Sequence, residues 1–373
     1  MNSKKYLVLG TGVGKAIAYL LAKSANTQQV TIGDIDTEKT VSICDFVNKF
    51  HKSKCVPTLF DADKNQNPIK LFQQFDVVIS ALPAKYNLRL AEVAIQANVH
   101  FCDLGGVVEV TEQMLKLNEQ YPNMPVSVIP DCGLMPGLGV VIAKKLLQDL
   151  GGAYSIEILV GGLPQKPQPP TFYQKVFHSE GLKHICYDMA PILSDGEVIS
   201  VKPFHDYGQL VVPELRCFSD KFNGRIEAFV TAGASLAALS FQKLGVRYFS
   251  EKTVRWPGFV DFFKTIPEFM FEEAVEEHLT IPVSNENPDL VWMRVTAKSE
   301  LTGEKSISLL DLYDKETGLT AMQRTTGFPT AIIAEMMAKE QTRHGVFTPE
   351  NAFDCIGLNE IINRVSRLIS LTA

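Results

Sequence analysis

Through residue 150 the chain alternates short apolar runs with helix-forming stretches. Five of the runs end on glycine or aspartate, at Gly10, Asp34, Asp61, Asp103 and Asp131. Strands separated by helices of about 10 to 15 residues run parallel, because each helix carries the chain back to the same starting edge. The alternation therefore predicts a doubly wound parallel sheet. In such sheets ligands sit outside the carboxyl ends of the strands, so these five positions are the first places to look for chemistry.

The first run, KKYLVLGTGVGKAIAYLLAK over residues 4–23, goes from strand to helix through Gly10, Gly12, Val13 and Gly14. Glycines let backbone approach a pyrophosphate, and the amides at the helix start attract its charge. The spacing is G-x-G-x-G-K, one residue shorter than the dinucleotide fingerprint G-x-G-x-x-G, so a tighter turn is expected. Asp34 lies 20 residues beyond Gly14, where such folds place the carboxylate that holds the adenosine ribose. Its charge repels a 2′-phosphate, which favours NAD over NADP. Asp36 can share that role. Asp61 ends the third run, where the chain passes the adenine, and the apolar Ala81-Leu82-Pro83 loop after the fourth run passes the nicotinamide side.

At 373 residues the chain exceeds one ordinary core, and two domains are expected. A net charge of -6 without a basic stripe argues against a nucleic-acid partner. No apolar run approaches the roughly 18 residues of a membrane span, and no secretory leader is legible. Seven scattered cysteines without a C-x-x-C pair read as reduced thiols in a cytoplasmic protein, and no metal site is expected.

From Ala153 the texture changes. A strand over Tyr154–Leu163 enters a proline-rich loop with Pro164, Pro167, Pro169 and Pro170. Further strands are expected over 224–233, 251–259, 289–300 and 304–316, the last two forming a hairpin around Leu301-Thr302-Gly303. Residues 261–278 are expected to be helical. A helix from about Pro329 to Lys339 must bury an apolar face, and the first sheet offers it. The fold class is thus α/β, a Rossmann-type doubly wound parallel sheet with an inserted α+β domain of mostly antiparallel sheet. The expected bounds are 1–150 plus 325–373 for the discontinuous dinucleotide domain and 151–324 for the insert.

These residues together resemble the saccharopine dehydrogenase family, in its lysine 6-dehydrogenase-like branch. The resemblance rests on DVVISALP with CDLGG, IPDCGLMPGLG, VGGLPQKPQPPTFY, IEAFVTAG, VRWPG, MQRTTGFPTAII and GVFTPE, and spans nearly the whole chain. It implies a dinucleotide domain and an inserted sheet domain that covers the active site and supports a homodimer. It also implies NAD(P)-linked chemistry at a carbon–nitrogen bond of a lysine-like amino acid. Relatives of the lysine branch carry His where this chain has Phe259.

Oxidising an amine to an imine requires a group that takes a proton, because the amine must be neutral when hydride leaves. A lysine-like substrate also needs carboxylate for its ammonium and arginine for its carboxylate. The candidate for the reacting amine is Asp103. Those for the substrate carboxylate are Arg225 and Arg255, then Arg324. Tyr86 and Tyr173 are candidate pocket walls, and Glu227 sits in a half-buried strand where it can hold an arginine. The expected activity is an NAD-dependent amino-acid dehydrogenase. Saccharopine-type dehydrogenase or reductase activity is one alternative, and a non-catalytic NAD(P)-binding sensor or interaction protein is the other.

Overall fold

The computed structural model describes residues 3–52, 54–65 and 67–372. The chain divides into two compact units, Met1–Val141 with Gln323–Arg367, and Ile142–Met322 with Leu368–Ala373.

The first unit carries β1 (Lys4–Leu9), β2 (Thr27–Asp34), β3 (Cys55–Leu59), β4 (Val77–Ser80), β5 (His100–Asp103), β6 (Ser127–Ile129) and the late β15 (Gly345–Val346). The order is β15-β6-β5-β4-β1-β2-β3, and every pair is parallel. Strand order reverses between β1 and β4, the switch point at which open α/β sheets bind ligands. The crossovers are α1 (Gly14–Lys23), α2 (Thr37–Phe50), α3 (Ile69–Phe72), α4 (Asn87–Ala97) and α5 (Val108–Gln120). All four residues of β4 and all four of β5 are buried, as strands covered by helices on both faces must be. Leu7, Val78, Phe101 and Val128 from the sheet pack with Leu90, Ala94, Met114 and Leu117 from α4 and α5. The rest of this unit comprises the early part of α6 (Leu138–Asp149), most of α11 (Ala321–Ala338), α12 (Pro349–Ala352) and α13 (Cys355–Ser366).

At the amino end of β5, His100 Nδ1 accepts from the Ser127 amide at 3.0 Å, which leaves the ring proton on Nε2, 3.1 Å from Glu340. Burial is the leading cause and lowers the pKa of this imidazole from 6.5, against the pull of Glu340. A folded-state pKa below the unfolded one gives stability that is present above about pH 6.5 and is lost as acid protonates the unfolded chain. His100→Gln keeps both hydrogen bonds without titrating. Melting curves between pH 7.5 and 5.5 are expected to fall less steeply for this variant than for the parent.

The second unit builds a mixed sheet from β7 (Ser155–Pro164), β8 (Ala190–Ser194), β9 (Glu197–Val201), β10 (Gly208–Val211), β11 (Arg225–Val230), β12 (Tyr248–Arg255), β13 (Asp289–Ser299), β14 (Gly303–Leu312) and β16 (Ser370–Thr372). The main path is β10-β11-β12-β7-β13-β14-β16, with β8 on β12 and β9 on β8. β12 and β7 are parallel, and the other pairs are antiparallel. The expected hairpin is β13–β14. The stretch expected as one helix over 261–278 is broken: α9 (Phe259–Phe263) stops before Pro267, and α10 (Phe271–His278) restarts beyond it. The remaining helices of this unit are the later part of α6, α7 (Ser179–Tyr187) and α8 (Ala237–Gln242). Residues 368–373, read from sequence as part of the dinucleotide domain, instead belong here, because β16 pairs with β14.

α11 begins eight residues before the expected Pro329 and holds that proline inside it. The buried carboxylate of Asp289 accepts from the amides of Ala321 at 2.8 Å and Met322 at 3.0 Å, so it caps the helix from a distant strand.

Candidate functional site

At the switch point each glycine of the first turn has a separate reason. Gly10 takes a φ of +100°, and a Cβ there would lie 2.5 Å from the Ala81 carbonyl oxygen. β1 and the loop after β4 therefore close on each other only with glycine at this place, and the Ala81 amide donates to Leu9 across the gap at 2.7 Å. A Cβ on Gly14 would lie 3.1 Å from a Val8 methyl, so this residue lets α1 pack on β1. Gly12 is different: a Cβ there would meet nothing within 4 Å. The protein itself does not require glycine at 12, whereas a ligand laid against the backbone does. In the shortened turn α1 starts directly at the third glycine.

Val13 stands at the cap position of α1 and supplies no side-chain bond, and the first turn carries no acid. Its leading amides are left for an anion. By contrast, Asp36 caps α2, accepting from the Lys39 amide at 3.0 Å and pairing with Lys39 Nζ at 3.1 Å. That occupies the residue that could have shared the ribose role. Asp34 lies at the carboxyl end of β2. It accepts from Thr11 Oγ1 at 2.8 Å and from the Asp36 amide at 3.1 Å, so it is aimed at the glycine turn. Thr11 had no signal in the sequence beyond its place between two glycines. Ile35 beside Asp34 is 65% exposed, an apolar surface next to the acid. These groups fit the parts of a dinucleotide: amides and an unobstructed glycine for phosphates, and an acid for ribose hydroxyls.

Asp61 is turned on its own loop, accepting from the Asp63 amide at 3.0 Å and pairing with Lys64 at 3.1 Å. Tyr86 donates to the Asp63 carboxylate at 3.1 Å. Leu82 is half-buried and Pro83 exposed after β4. Arg324, on α11, stacks its guanidinium on Phe328 at 5.2 Å.

At the next strand end, Asp103 is 1% exposed. Its Oδ1 accepts from the Gly105 amide at 2.7 Å and the Asp131 amide at 3.3 Å, while Oδ2 is buried with no hydrogen-bond partner. Asp131 follows β6 in a left-handed conformation and accepts from Thr111 Oγ1 at 3.1 Å. Burial first, then the Asp131 charge, push the Asp103 carboxyl up to about 8. A Cβ on Gly105 would fall 1.8 Å from an Asp131 carboxylate oxygen, so that loop closes over the acid pair only as glycine. Two carboxyls, one oxygen without a hydrogen bond and a near-neutral pKa are the features that let a site exchange protons, which makes Asp103 the candidate here. Asp131 was visible as an acidic strand end, but its pairing with Asp103 depends on β5 and β6 being neighbours.

In the second unit Arg225 is exposed at the start of β11, whereas Arg255 is 2% exposed at the end of β12. The Arg255 guanidinium lies 4.8 Å from the Tyr173 ring and 5.2 Å from the Phe259 ring, and it donates to the Val254 carbonyl at 2.8 Å. Glu227 faces Arg255 across the ladder but does not hold an arginine. It accepts from the amides of Gly258 at 2.8 Å and Val260 at 3.0 Å, capping α9. Elsewhere on this sheet an open cleft of about 490 Å³ is lined by Glu157, Arg294, Lys298 and Glu304. Its charges are paired within the sheet and its neighbours: Lys298 with Glu304, Arg294 with Glu214 and Glu157 with Lys252. Among the described residues no group of His, Cys, Asp or Glu could hold a metal ion, and no helix is long and apolar enough to cross a membrane.

A parallel sheet with a glycine cradle at its switch point, in one chain with a mixed-sheet unit, is the architecture of a dinucleotide-binding α/β protein. The saccharopine dehydrogenase NADP-binding domain matches residues 6–129 and the saccharopine dehydrogenase C-terminal domain matches residues 133–367. The chain belongs to the saccharopine dehydrogenase family. It is 26% identical over 168 residues to alpha-aminoadipic semialdehyde synthase of Arabidopsis thaliana, covering 43% of this chain and 16% of that protein. It is 28% identical over 211 residues to the mitochondrial alpha-aminoadipic semialdehyde synthase of Rattus norvegicus, covering 54% of this chain and 21% of that protein. These matches thus span about a fifth or less of the length of the curated relatives. The fold is shared with apo saccharopine dehydrogenase (L-Glu forming) from Saccharomyces cerevisiae, with a TM-score of 0.74, 14% identity and 99% of each chain covered.

Proposed function

We propose that this chain is an NAD-dependent dehydrogenase that oxidises a carbon–nitrogen bond of lysine or a lysine-like amino acid, amine to imine. The observation that carries the reading is the free, buried Oδ2 of Asp103 beside the acid of Asp131, at a strand end of a dinucleotide-binding sheet. The bound nicotinamide supplies the hydride acceptor. The turn of Gly10, Gly12, Val13 and Gly14 and the free amides of α1 hold its phosphates. Asp34 holds the adenosine ribose, and the Ala81-Leu82-Pro83 loop excludes water. Asp103 Oδ2 takes the proton from the substrate ammonium, leaving the nitrogen lone pair free as hydride departs. A carboxyl that titrates near 8 exchanges protons readily around neutral pH.

A second reading is saccharopine-type chemistry, favoured by the family match along both parts of the chain. The test is a screen of lysine, saccharopine, ornithine and carboxylated polyamines with NAD and NADP, followed by reduced-nicotinamide absorbance. Turnover of saccharopine alone selects the second reading. Cofactor binding with no turnover of any compound selects a non-catalytic nucleotide-binding protein.

The NAD preference rests on Asp34. Asp34→Ala removes the acceptor for the ribose hydroxyls and the charge that repels a 2′-phosphate. Calorimetric titration is expected to show NAD weakened about 10-fold or more, the loss of a charged hydrogen bond of roughly 1.5–3 kcal/mol. NADP is expected to lose less. Equal losses would remove Asp34 from cofactor choice.

A further inference from the structure

A buried row of polar side chains runs along one face of β12. Glu251, Thr253 and Arg255 alternate along the strand and therefore point the same way. All three are buried. Thr231 Oγ1 donates to Glu251 at 2.6 Å and lies 2.9 Å from Thr253 Oγ1. The turn after β11 covers the row: a Cβ on Gly233 would stand 3.0 Å from a Glu251 carboxylate oxygen.

Arg255 Nε and Ser235 Oγ are each buried without a hydrogen bond. The buried Tyr173 hydroxyl lies against the Arg255 guanidinium and the Val176 amide, which leaves its proton to donate. Among the described residues the guanidinium has no ion pair: Glu227 opposite it is spent on amides, Glu251 on its own strand is held by Thr231, and the guanidinium itself donates to the Val254 carbonyl. A buried cation with no acid in direct contact is costly, and an anion placed against it removes the cost. Ser235, two residues beyond Gly233, holds φ 48° and ψ -123°, a conformation that disfavours every side chain. Its strain keeps a hydroxyl where glycine would be easier.

We propose that this face of β12 is a binding site for the carboxylate of a singly charged ligand, with Arg255 as the cation, Tyr173 and Ser235 as neutral donors, and Glu251 selecting against a second negative charge. For the identity of the natural ligand, the carboxylate end of an amino-acid substrate, this rests on the dehydrogenase reading. The groups facing Glu251 are Arg255 on its own strand and the Thr231 hydroxyl and Gly233 amide from the turn. Around Arg255 stand Tyr173 from the loop before α7, Cys186 from α7 and Glu227 from β11. Burial pushes the Glu251 carboxyl up to about 8, against Thr231, Gly233 and Arg255. Below that pH it is neutral beside the ligand, and above it a second negative charge faces the bound carboxylate.

The test is calorimetric titration of the full chain, free of cofactor, with hexanoate and with inorganic phosphate. Hexanoate binding is expected, with no heat from phosphate. Tyr173→Phe and Ser235→Ala, which keep the shape of the site, are each expected to weaken hexanoate about 5-fold to 10-fold without changing NAD affinity. Parent affinity is expected to fall as pH rises through about 8 and to stay level in Glu251→Gln. Tighter binding of phosphate, no hexanoate binding by the folded chain, or affinities indifferent to all three substitutions would overturn the site. Turnover is read in parallel. Variant-sensitive hexanoate binding in a chain without turnover keeps this site and removes the dehydrogenase reading. Turnover with a KM untouched by the variants does the reverse.

Discussion

Asp103→Asn is expected to lower kcat for amine oxidation by about 100-fold or more, the usual contribution of a positioned proton acceptor. Asparagine keeps an oxygen for the amides of Gly105 and Asp131 and puts a non-basic group where Oδ2 stands. NAD affinity is therefore expected to stay the same. In the parent, kcat/KM for oxidation should rise as pH rises through about 8, where Asp103 ionises, and this limb should vanish in the variant. The same substitution is expected to stabilise the fold. The carboxyl pKa is raised from 3.8 to about 8 on folding, so the parent loses stability as pH climbs across that interval and the unfolded chain ionises first. The asparagine variant has no such loss, so its melting temperature should overtake the parent's toward pH 8. Lost turnover with gained stability separates a catalytic base from a structural carboxyl. Unchanged turnover would remove Asp103 from the chemistry.

Gly10→Ala and Gly12→Ala are expected to fail in opposite ways. At position 10 a methyl group meets the Ala81 carbonyl oxygen at 2.5 Å in a left-handed conformation, so neither the backbone nor the contact accommodates it. The fold is expected to lose roughly 3 kcal/mol or more, read by urea denaturation. At position 12 the methyl group enters open space, and the cofactor-free protein should unfold within about 0.5 kcal/mol of the parent. NAD affinity should nevertheless drop about 100-fold, because the methyl occupies the surface on which the pyrophosphate lies. If Gly12→Ala binds NAD as the parent does, the cofactor lies elsewhere.

The dinucleotide unit was legible because its signals are local. The buried strands are short apolar runs, most of them closed by glycine or acid, and the helices between them show apolar faces of their own. The parts that escaped depend on distant residues. α11 was read from Pro329 because threonines and Gly327 weaken its first half. Asp289, over 30 residues earlier, caps its start, and Gly327 packs against Ala16, where a Cβ would come within 2.9 Å. The break at Pro267 was open to sequence reading and was outweighed by the flanking helical pattern. In the candidate site, Gly10, Gly12, Gly14 and Asp34 could be named from spacing alone. The Asp103–Asp131 pair could not, since 28 residues separate them and only the strand order makes them neighbours. Arg255 was named for its charge, but its burial and the lack of a counter-ion are properties of packing. Glu227 was misassigned for the same reason, because the amides it holds belong to a turn some thirty residues on.

The late position of β15 has a consequence for synthesis. β6 has no outer neighbour until Gly345 and Val346 join it, and more than 200 residues separate the two. At about 5–20 residues per second, a ribosome needs roughly 10–40 s to make that stretch. During this interval the nascent sheet ends at β6 with its edge unpaired, while the whole of β7 to β14 emerges and becomes able to fold. All of the second sheet except β16 can thus form on the ribosome before the first sheet is closed. In a chain stalled before residue 345 the β6 edge is therefore unpaired and open to another strand.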